Sequence, residues 1–328
     1  MSDRDDVPRV RLTVAVPTFR RPGELRAGLP LILAQVADLV ADRSTGTEAD
    51  VLVIDNDPAA SARGMVAELG AASAEVTVRY LHEPVPGISA ARNCALDGSA
   101  GSDLLVFIDD DERPLDGWLR ALYDTWRETG ATAVMGRVVS VFESDPEPWV
   151  AAGRFFERFT MPTGTPVEVV AAGNLLLDLR DVRRLGARFD ADLGLSGGED
   201  TLFSRQLARA GCRQVWCDES ATTDQVPAER LSREWVLRRS WSHGNTIAVV
   251  SIRMAGGATG RLLMRVRALV LGTARIVLGG SRQAWGGLTG SMAHQARGCR
   301  TRYRGLGMMA GVFGSIYQEY ARAADESS

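Results

Sequence analysis

The first half of the chain alternates short apolar, β-branched runs with longer stretches whose apolar positions recur at helical spacing. "RLTVAVPTF" (11–19) predicts a buried strand closed by Pro17. "GELRAGLPLILAQVADLVADR" (23–43) predicts a helix, with Pro30 expected to kink or interrupt it. "ADVLVIDND" (49–57) reads as a second strand, "SARGMVAELGAA" (61–72) as a helix and "VTVRYLHEP" (76–84) as a third strand. "GISAARNCALDGS" (87–99) is a short Gly-started helix and "SDLLVFIDDDE" (102–112) a fourth strand. Strands alternating with helices imply crossover connections, hence an α/β fold with a mostly parallel, Rossmann-like central sheet and helices on both faces. Ligands bind such sheets beyond the carboxyl ends of the strands, and three of these ends carry polar punctuation: "VPTF", "IDND" and "IDDD".

The second half is less regular. "AVMGRVVSVF" (133–142) predicts a strand, and "EVVAAGNLLLDLRDVRRLG" (168–186) a strand running into a helix. "FDADLGLSGGEDTLFSRQLARAGC" (189–212) holds a Gly-rich loop that hands over to an amphipathic helix, and "RQVWCDESATTDQV" (213–226) is a further strand and loop. From "ERLSREW" (229–235) onward the pattern is helical.

Composition changes the picture in three places. All 38 basic residues are arginine, which excludes a phosphate-loop lysine, a Schiff-base lysine and a kinase-type lysine. Four scattered cysteines (Cys94, Cys212, Cys217, Cys299) lack C-x-x-C spacing and read as reduced thiols of a cytoplasmic protein. No run of about 18 apolar residues predicts a spanning helix, and the acidic, polar start "MSDRDDVPRVRLTV" does not fit a secretory signal. Charge is unevenly spread: from Ser251 on there are 11 Arg and 3 acids, a net of +8, against −3 for the whole chain and therefore −11 for the first 250 residues. An acidic body with a basic tail points to contact between the tail and something anionic.

The candidate chemistry sits at loop starts. Asp109 and Asp111 end a strand, where a turn would let both face one ligand; hard divalent ions take one or two carboxylates plus substrate phosphates. The alternative is a solvated helix start. In "GGED" (197–200), Asp200 is either a general base or an acid placed in a helix dipole. Arg92 in "GISAARN" is either a diphosphate contact or a surface arginine. His82, His243 and His294 are isolated, without metal-ligand spacing.

In order, "VAVPTFRRPGELRAGL", "VLVIDNDP", "GISAARNCAL", "LLVFIDDDERP", "AAGNLLLDL" and "GLSGGEDTLFSRQLARAG" resemble the family 2 inverting glycosyltransferases of GT-A fold, over roughly residues 11–215. The resemblance implies a GT-A catalytic domain, its nucleotide-sugar half at about 9–115 and its acceptor half at about 116–250; the charge change and "MAGGATG" (254–260) mark a soft boundary near 250, between a catalytic domain over 1–250 and a basic helical C-terminal extension at 251–328. It implies nucleotide contacts from Pro17, Thr18, Arg20, Asp55, Arg92, Asp109 and Asp110, with Asp55 on the base, usually uracil. Asp111 and Asp109 would form the D-x-D element holding Mn²⁺ or Mg²⁺ against a UDP-sugar. Gly173 and Asn174 would shape the sugar and acceptor pocket, and Asp200 would be the base with Glu199 positioning the acceptor. An inverting transfer is one in-line displacement, so it needs a base for the acceptor hydroxyl and positive charge on the departing diphosphate.

Two positions depart from the family pattern. Asp224 stands where many relatives supply a metal-binding histidine, and "LRRSW" (237–241) replaces the Q-x-x-R-W of processive synthases. A single addition per acceptor is implied, with Arg238 and Arg239 as candidates for holding the diphosphate. The acceptor class stays open among glycans, lipid-linked sugars and natural products; nucleic acid is not expected. The arginines of "GRLLMRVRALVLGTARIVLGG" (260–280) fit either a peripheral helix at the inner face of the membrane or packing on the protein or a second subunit. The rival readings are nucleotidyl transfer, for which the strand-one Gly-rich loop and lysine are missing, and a catalytically weak nucleotide-sugar-binding or interaction subunit.

Overall fold

The computed structural model describes residues 9–315; the acidic stretch before Arg9 and the last part of the expected extension, 316–328, lie outside them. Two compact units emerge. The first holds the described residues up to Val139 with Phe159–Gly194 and Glu199–Asp224; the second holds Ser140–Arg158, Leu195–Gly198 and the described residues from Gln225 on.

In the first unit, β1 (Val10–Thr18), α1 (Pro22–Ala41), β2 (Thr47–Asp55), α2 (Arg63–Ala72), β3 (Thr77–His82), α3 (Ile88–Gly98) and β4 (Leu104–Ile108) follow the expected alternation. The strand order 3-2-1-4 is parallel throughout. The chain thus reverses its direction of travel across the sheet between β1 and β4, which opens a crevice at the carboxyl ends of these two strands. Alternate residues of each strand enter opposite cores. Val14, Val16, Val51, Val53, Val106 and Ile108 pack with Leu25, Leu29, Ile32, Val36 and Leu39 of α1. Ala15, Leu52, Ile54, Leu105 and Phe107 pack with Ala91 and Ala95 of α3. Period two in the strands and the four-and-three spacing along α1 are the same arithmetic seen from two elements. α1 continues through Pro30, which lies on its exposed side.

Beyond β4 the pairing turns antiparallel. β5 (Glu112–Pro114), α4 (Trp118–Thr129), β6 (Ala133–Phe142), β7 (Asn174–Asp178), α6 (Leu179–Leu185), α7 (Glu199–Arg209) and β8 (Gln214–Val226) follow, while α5 (Pro148–Gly153), between β6 and β7, belongs to the second unit. β7 lies antiparallel to β4 and β6, and β5 antiparallel to β8. Within the strand and helix expected over 168–186, the strand is Asn174–Asp178, paired along its whole length with β4, and Asp178 caps α6 by accepting from Arg180 N at 3.0 Å.

In the second unit, α8 (Arg233–Arg253) runs unbroken through residue 250, the expected domain boundary, and joins α9 (Gly257–Leu288) and α10 (Met292–Val312). Glycines bring these helices together. A Cβ at Gly279 of α9 would lie 2.5 Å from Arg302 N, and one at Gly244 of α8 would lie 1.9 Å from Arg304 O. Gly272, Gly279 and Gly286 repeat every seven residues along the buried stripe of α9. Trp149 and Val150 of α5 pack with Val236 and Ala296 in a small core of this unit.

Candidate active site

The acids 109–112 leave β4 and are held by residues of several other elements. Thr18 Oγ1, at the end of β1, donates to Asp110 Oδ2 at 2.8 Å. Arg21 donates to Asp110 Oδ1 at 3.2 Å and to Asp111 Oδ2 at 2.6 Å. Glu112, paired with Asp224 across the β5–β8 ladder, accepts from Thr222 Oγ1 at 2.6 Å. Burial, and then the charges of Asp111 and Asp109, push the Asp110 carboxyl up to about 6 against the pull of Arg21 and Thr18.

Arg92 joins this strand end to the "GGED" loop. It is only 5% exposed; Nη1 donates to Glu199 Oε1, Nη2 lies 3.7 Å from Asp109 Oδ1, and its guanidinium is 5.7 Å from the Phe189 ring centre. α3 is pinned in place to do this. Ile88 N donates to Gly194 O at 3.0 Å, Ser89 Oγ to Asp190 O at 2.8 Å, and Asn93 exchanges two bonds with the Phe189 backbone. Glu199 is 3% exposed, and its Oε2 is buried without a hydrogen-bond partner among the described residues. Burial raises its carboxyl to about 7, with Asp200 and Asp109 pushing the same way and Arg92 opposing. Asp109 is likewise raised, by enclosure first and then by the charges of Asp111 and Asp224, with Arg92 and Arg21 opposing.

Asp200 opens α7 beside Glu199 and is half-buried; its Oδ1 accepts from Thr201 N at 2.6 Å and Thr201 Oγ1 at 3.2 Å. The preceding Gly197 and Gly198 have φ of +77° and +90°, a backbone that other residues rarely adopt. The loop chemistry visible in the sequence is therefore what lets Glu199 turn inward and Asp200 start the helix. Gly173 is a close approach of another kind: a Cβ there would lie 2.5 Å from Glu112 Oε1 and 3.1 Å from Asp109 Oδ2.

Several expected contact residues make bonds within the protein or are buried. Asp55 has no exposed surface; its carboxylate accepts from Asp57 N at 3.0 Å, Ala62 N at 2.8 Å and Tyr80 Oη at 2.9 Å, which folds the loop after β2. Asn174 is also buried: its Nδ2 donates to Arg137 O and Ser220 O, both at 3.1 Å, while Oδ1 accepts from Trp118 Nε1 at 2.8 Å. With those bonds made, it clips β7 to its neighbours directly beside Asp109. Pro17 is buried in β1, and Arg20, at φ +54°, pairs with Asp57 at 3.2 Å. Arg239 is half-buried on α8 in the second unit. Arg21, Glu112 and Thr222 were not anticipated. The one sequence signal for Arg21 was the paired arginine after the first strand in "TFRRP".

The donor set suits a hard divalent ion, since Asp109, Asp111 and Asp224 offer only oxygen and like charge accumulates on Asp109. Among the described residues no group of three His, Cys, Asp or Glu side chains forms a ready cage. The fit is to an ion held by one or two carboxylates and completed by phosphate oxygens.

A family profile described as Glycosyl transferase family 2 matches residues 13–181, and another described as Glycosyl transferase family group 2 matches 104–296. The chain is 35% identical over 237 residues to the succinoglycan biosynthesis protein ExoM of Rhizobium meliloti (strain 1021), covering 72% of this chain and 74% of that protein. This chain belongs to glycosyl transferase family 2. It is a nucleotide-sugar glycosyltransferase. Its fold is of the GT-A kind, similar to that of GalNAc-T7, a structure solved with UDP, GalNAc and Mn²⁺, at a TM-score of 0.53 and 12% identity over 73% of this chain. The chain spans about half of that structure's length (48%). S. aureus TarS matches at a TM-score of 0.48 and 18% identity, over 78% of this chain and 41% of that one.

Proposed function

We propose that this family 2 glycosyltransferase is an inverting, divalent-cation-dependent, non-processive enzyme that moves a sugar from a UDP-sugar to an acceptor hydroxyl. The observation that carries the reading is the bridge made by buried Arg92 between Asp109 and Glu199. It ties the acids suited to a departing diphosphate to those suited to an attacking hydroxyl, within one network.

Asp200 is the base. Oδ1 is engaged by Thr201, which orients the carboxylate, and Oδ2 is the oxygen to take the acceptor proton as the new glycosidic bond forms. Glu199 acts through Arg92 as a positioning residue, because burial keeps it from the acceptor. Asp111 and Asp109, with Asp224 alongside, would hold Mn²⁺ or Mg²⁺, whose charge stabilises the leaving diphosphate. Thr18 and Arg21 fix the turn that presents these acids. The relative at 35% identity is named for succinoglycan biosynthesis, so a glycan acceptor is the class to test before lipid-linked and natural-product acceptors.

The test is calorimetric titration of UDP, GDP and dTDP with and without Mn²⁺, on wild type, Asp111→Asn and Asp200→Asn, followed by turnover of the matching nucleotide-sugars with the product anomer read by NMR. Binding of UDP that needs the ion and is lost in Asp111→Asn, with turnover lost and binding kept in Asp200→Asn, is expected. Retention of the donor's anomeric configuration, or full turnover by Asp200→Asn, would overturn the mechanism.

A further inference from the structure

Helix α9 inverts the usual division of a surface helix. Ala268, Gly272, Gly279 and Gly286 form its buried stripe. The large apolar side chains point the other way: Leu262 and Val270 are each 62% exposed, Leu278 67% and Trp285 58%, with Leu263 and Val277 among them. At 100° per residue these six spread over one half of the helix surface, centred roughly opposite the glycine stripe. From Leu262 to Leu288 the apolar face runs about 40 Å. A monomer in water rarely leaves a continuous apolar surface of that length uncovered.

What covers it can be argued from charge. α9 and α10 together carry nine arginines and no aspartate or glutamate. Arg275 and Arg282 line one edge of the apolar face, toward α10, with Arg275 Nη1 3.1 Å from Met308 Sδ and Arg282 Nε 3.4 Å from His294 Nδ1. Arg265 flanks the other edge and Arg267 lies on the face in line with Trp285; both are exposed, so their stems can lie along the face while their guanidinium groups reach outward. Two copies meeting through α9 would bring these arginines together with no acid on either helix to pair them. An anionic lipid surface complements both features at once. Trp285, near the end of the face, has the amphipathic ring suited to the headgroup level. Among the described residues no helix is long and apolar enough to cross a membrane, so the helix would lie along the surface.

We propose that the exposed apolar face of α9 docks in the interface of an anionic lipid bilayer, lying parallel to it. The inference concerns the second unit alone and does not depend on the reaction assigned above.

The experiment is flotation of the full chain with vesicles of phosphatidylcholine alone or mixed with phosphatidylglycerol, at low salt and at about 0.5 M salt. The variants are a Leu263→Glu, Val270→Glu, Val277→Glu triple and an Arg265→Gln, Arg267→Gln double. Light scattering gives the mass of each protein without lipid, and thermal unfolding monitors its fold. Wild type is expected to float at least 10-fold more with the anionic vesicles, less in high salt. The triple, with an unchanged melting temperature, should lose flotation at least 10-fold, and the double should lose the preference for anionic lipid. Wild type remaining in the aqueous layer with both vesicle types would overturn the proposal. So would undiminished flotation of the triple, or a wild-type dimer that the triple converts to monomer while vesicle binding is absent, which would make a second copy the occupant.

Discussion

Replacing Glu199 by glutamine keeps the shape of the buried side chain and removes its proton exchange, so it measures directly what the enclosure of that carboxyl costs. The folded chain retains the Glu199 proton up to about pH 7, whereas the ordinary glutamate value is 4.5. Between these limits the folded state binds more protons than the unfolded one, so stability falls as pH rises. Below the lower limit both states are protonated and nothing is lost; above the upper one both are ionised and the loss is complete. At about 1.4 kcal/mol per pH unit, the interval amounts to roughly 3 kcal/mol. Glutamine carries no such proton. The stability of Glu199→Gln minus that of wild type should therefore rise by roughly 3 kcal/mol between about pH 4.5 and pH 8. Asp110, pushed up to about 6 by burial, gives a slope of the same sign in both proteins and cancels in the difference. The assay is urea unfolding followed by tryptophan fluorescence at several pH values, wild type and variant side by side. A difference that stays flat across the range would mean that Glu199 ionises as it does in water. The account of a carboxyl enclosed with an unpartnered Oε2 would then fail.

Four further outcomes follow from the same geometry. Asp200→Asn should lower turnover by about 10² or more while leaving nucleotide affinity and melting temperature close to wild type, because in the proposed mechanism only the proton acceptor is removed. Arg92→Lys keeps the charge but not the two-armed fork that meets both Glu199 and Asp109, so turnover should fall at least about 10-fold in a folded protein. Gly173→Ala puts a methyl 2.5 Å from Glu112 Oε1 and should weaken ion-dependent nucleotide binding, seen by calorimetry, with a loss of stability of about 1–3 kcal/mol. Gly279→Leu drives a side chain into the Arg302 backbone of α10 and should cost about 3 kcal/mol in thermal or urea unfolding.

The parallel half of the sheet was legible because its strands are short, bounded by turn residues and buried on both faces, so each apolar run had one interpretation. Residues 112–129 were not. β5 is three residues long and defined by its partner β8, and α4 follows it without a capping side chain. The glycine stripe of α9 was also missed, since a search for large apolar periodicity registers the exposed face and passes over the buried one. At the site, the acids ending β4 and opening α7 stood out by position. Of their protein partners only Arg92 was a candidate from the sequence: Arg21 and Thr222 reach the acids across 90 and 110 residues of chain respectively.

The roles of Asp55 and Asn174 show where positional expectation and physical cause part. Each lies where the family resemblance implies a ligand contact, and each is buried with its polar atoms bonded inside the protein. Their position beside the site still has a reason. Asp55 folds the turn at the end of β2, and Asn174 begins β7 in register with Ile108, one residue before Asp109. An unpaired amide or carboxylate at either place would cost about 1–3 kcal/mol, more for the charged group, and would loosen the strand ends on which Thr18 and Asp109 depend. A side chain can therefore be required at the edge of an active site because it holds the backbone that aims its neighbours. Arg92 acts on side chains in the same way: it pairs with Asp109 and Glu199, and in the proposed mechanism this couples the geometry of the diphosphate end to that of the base.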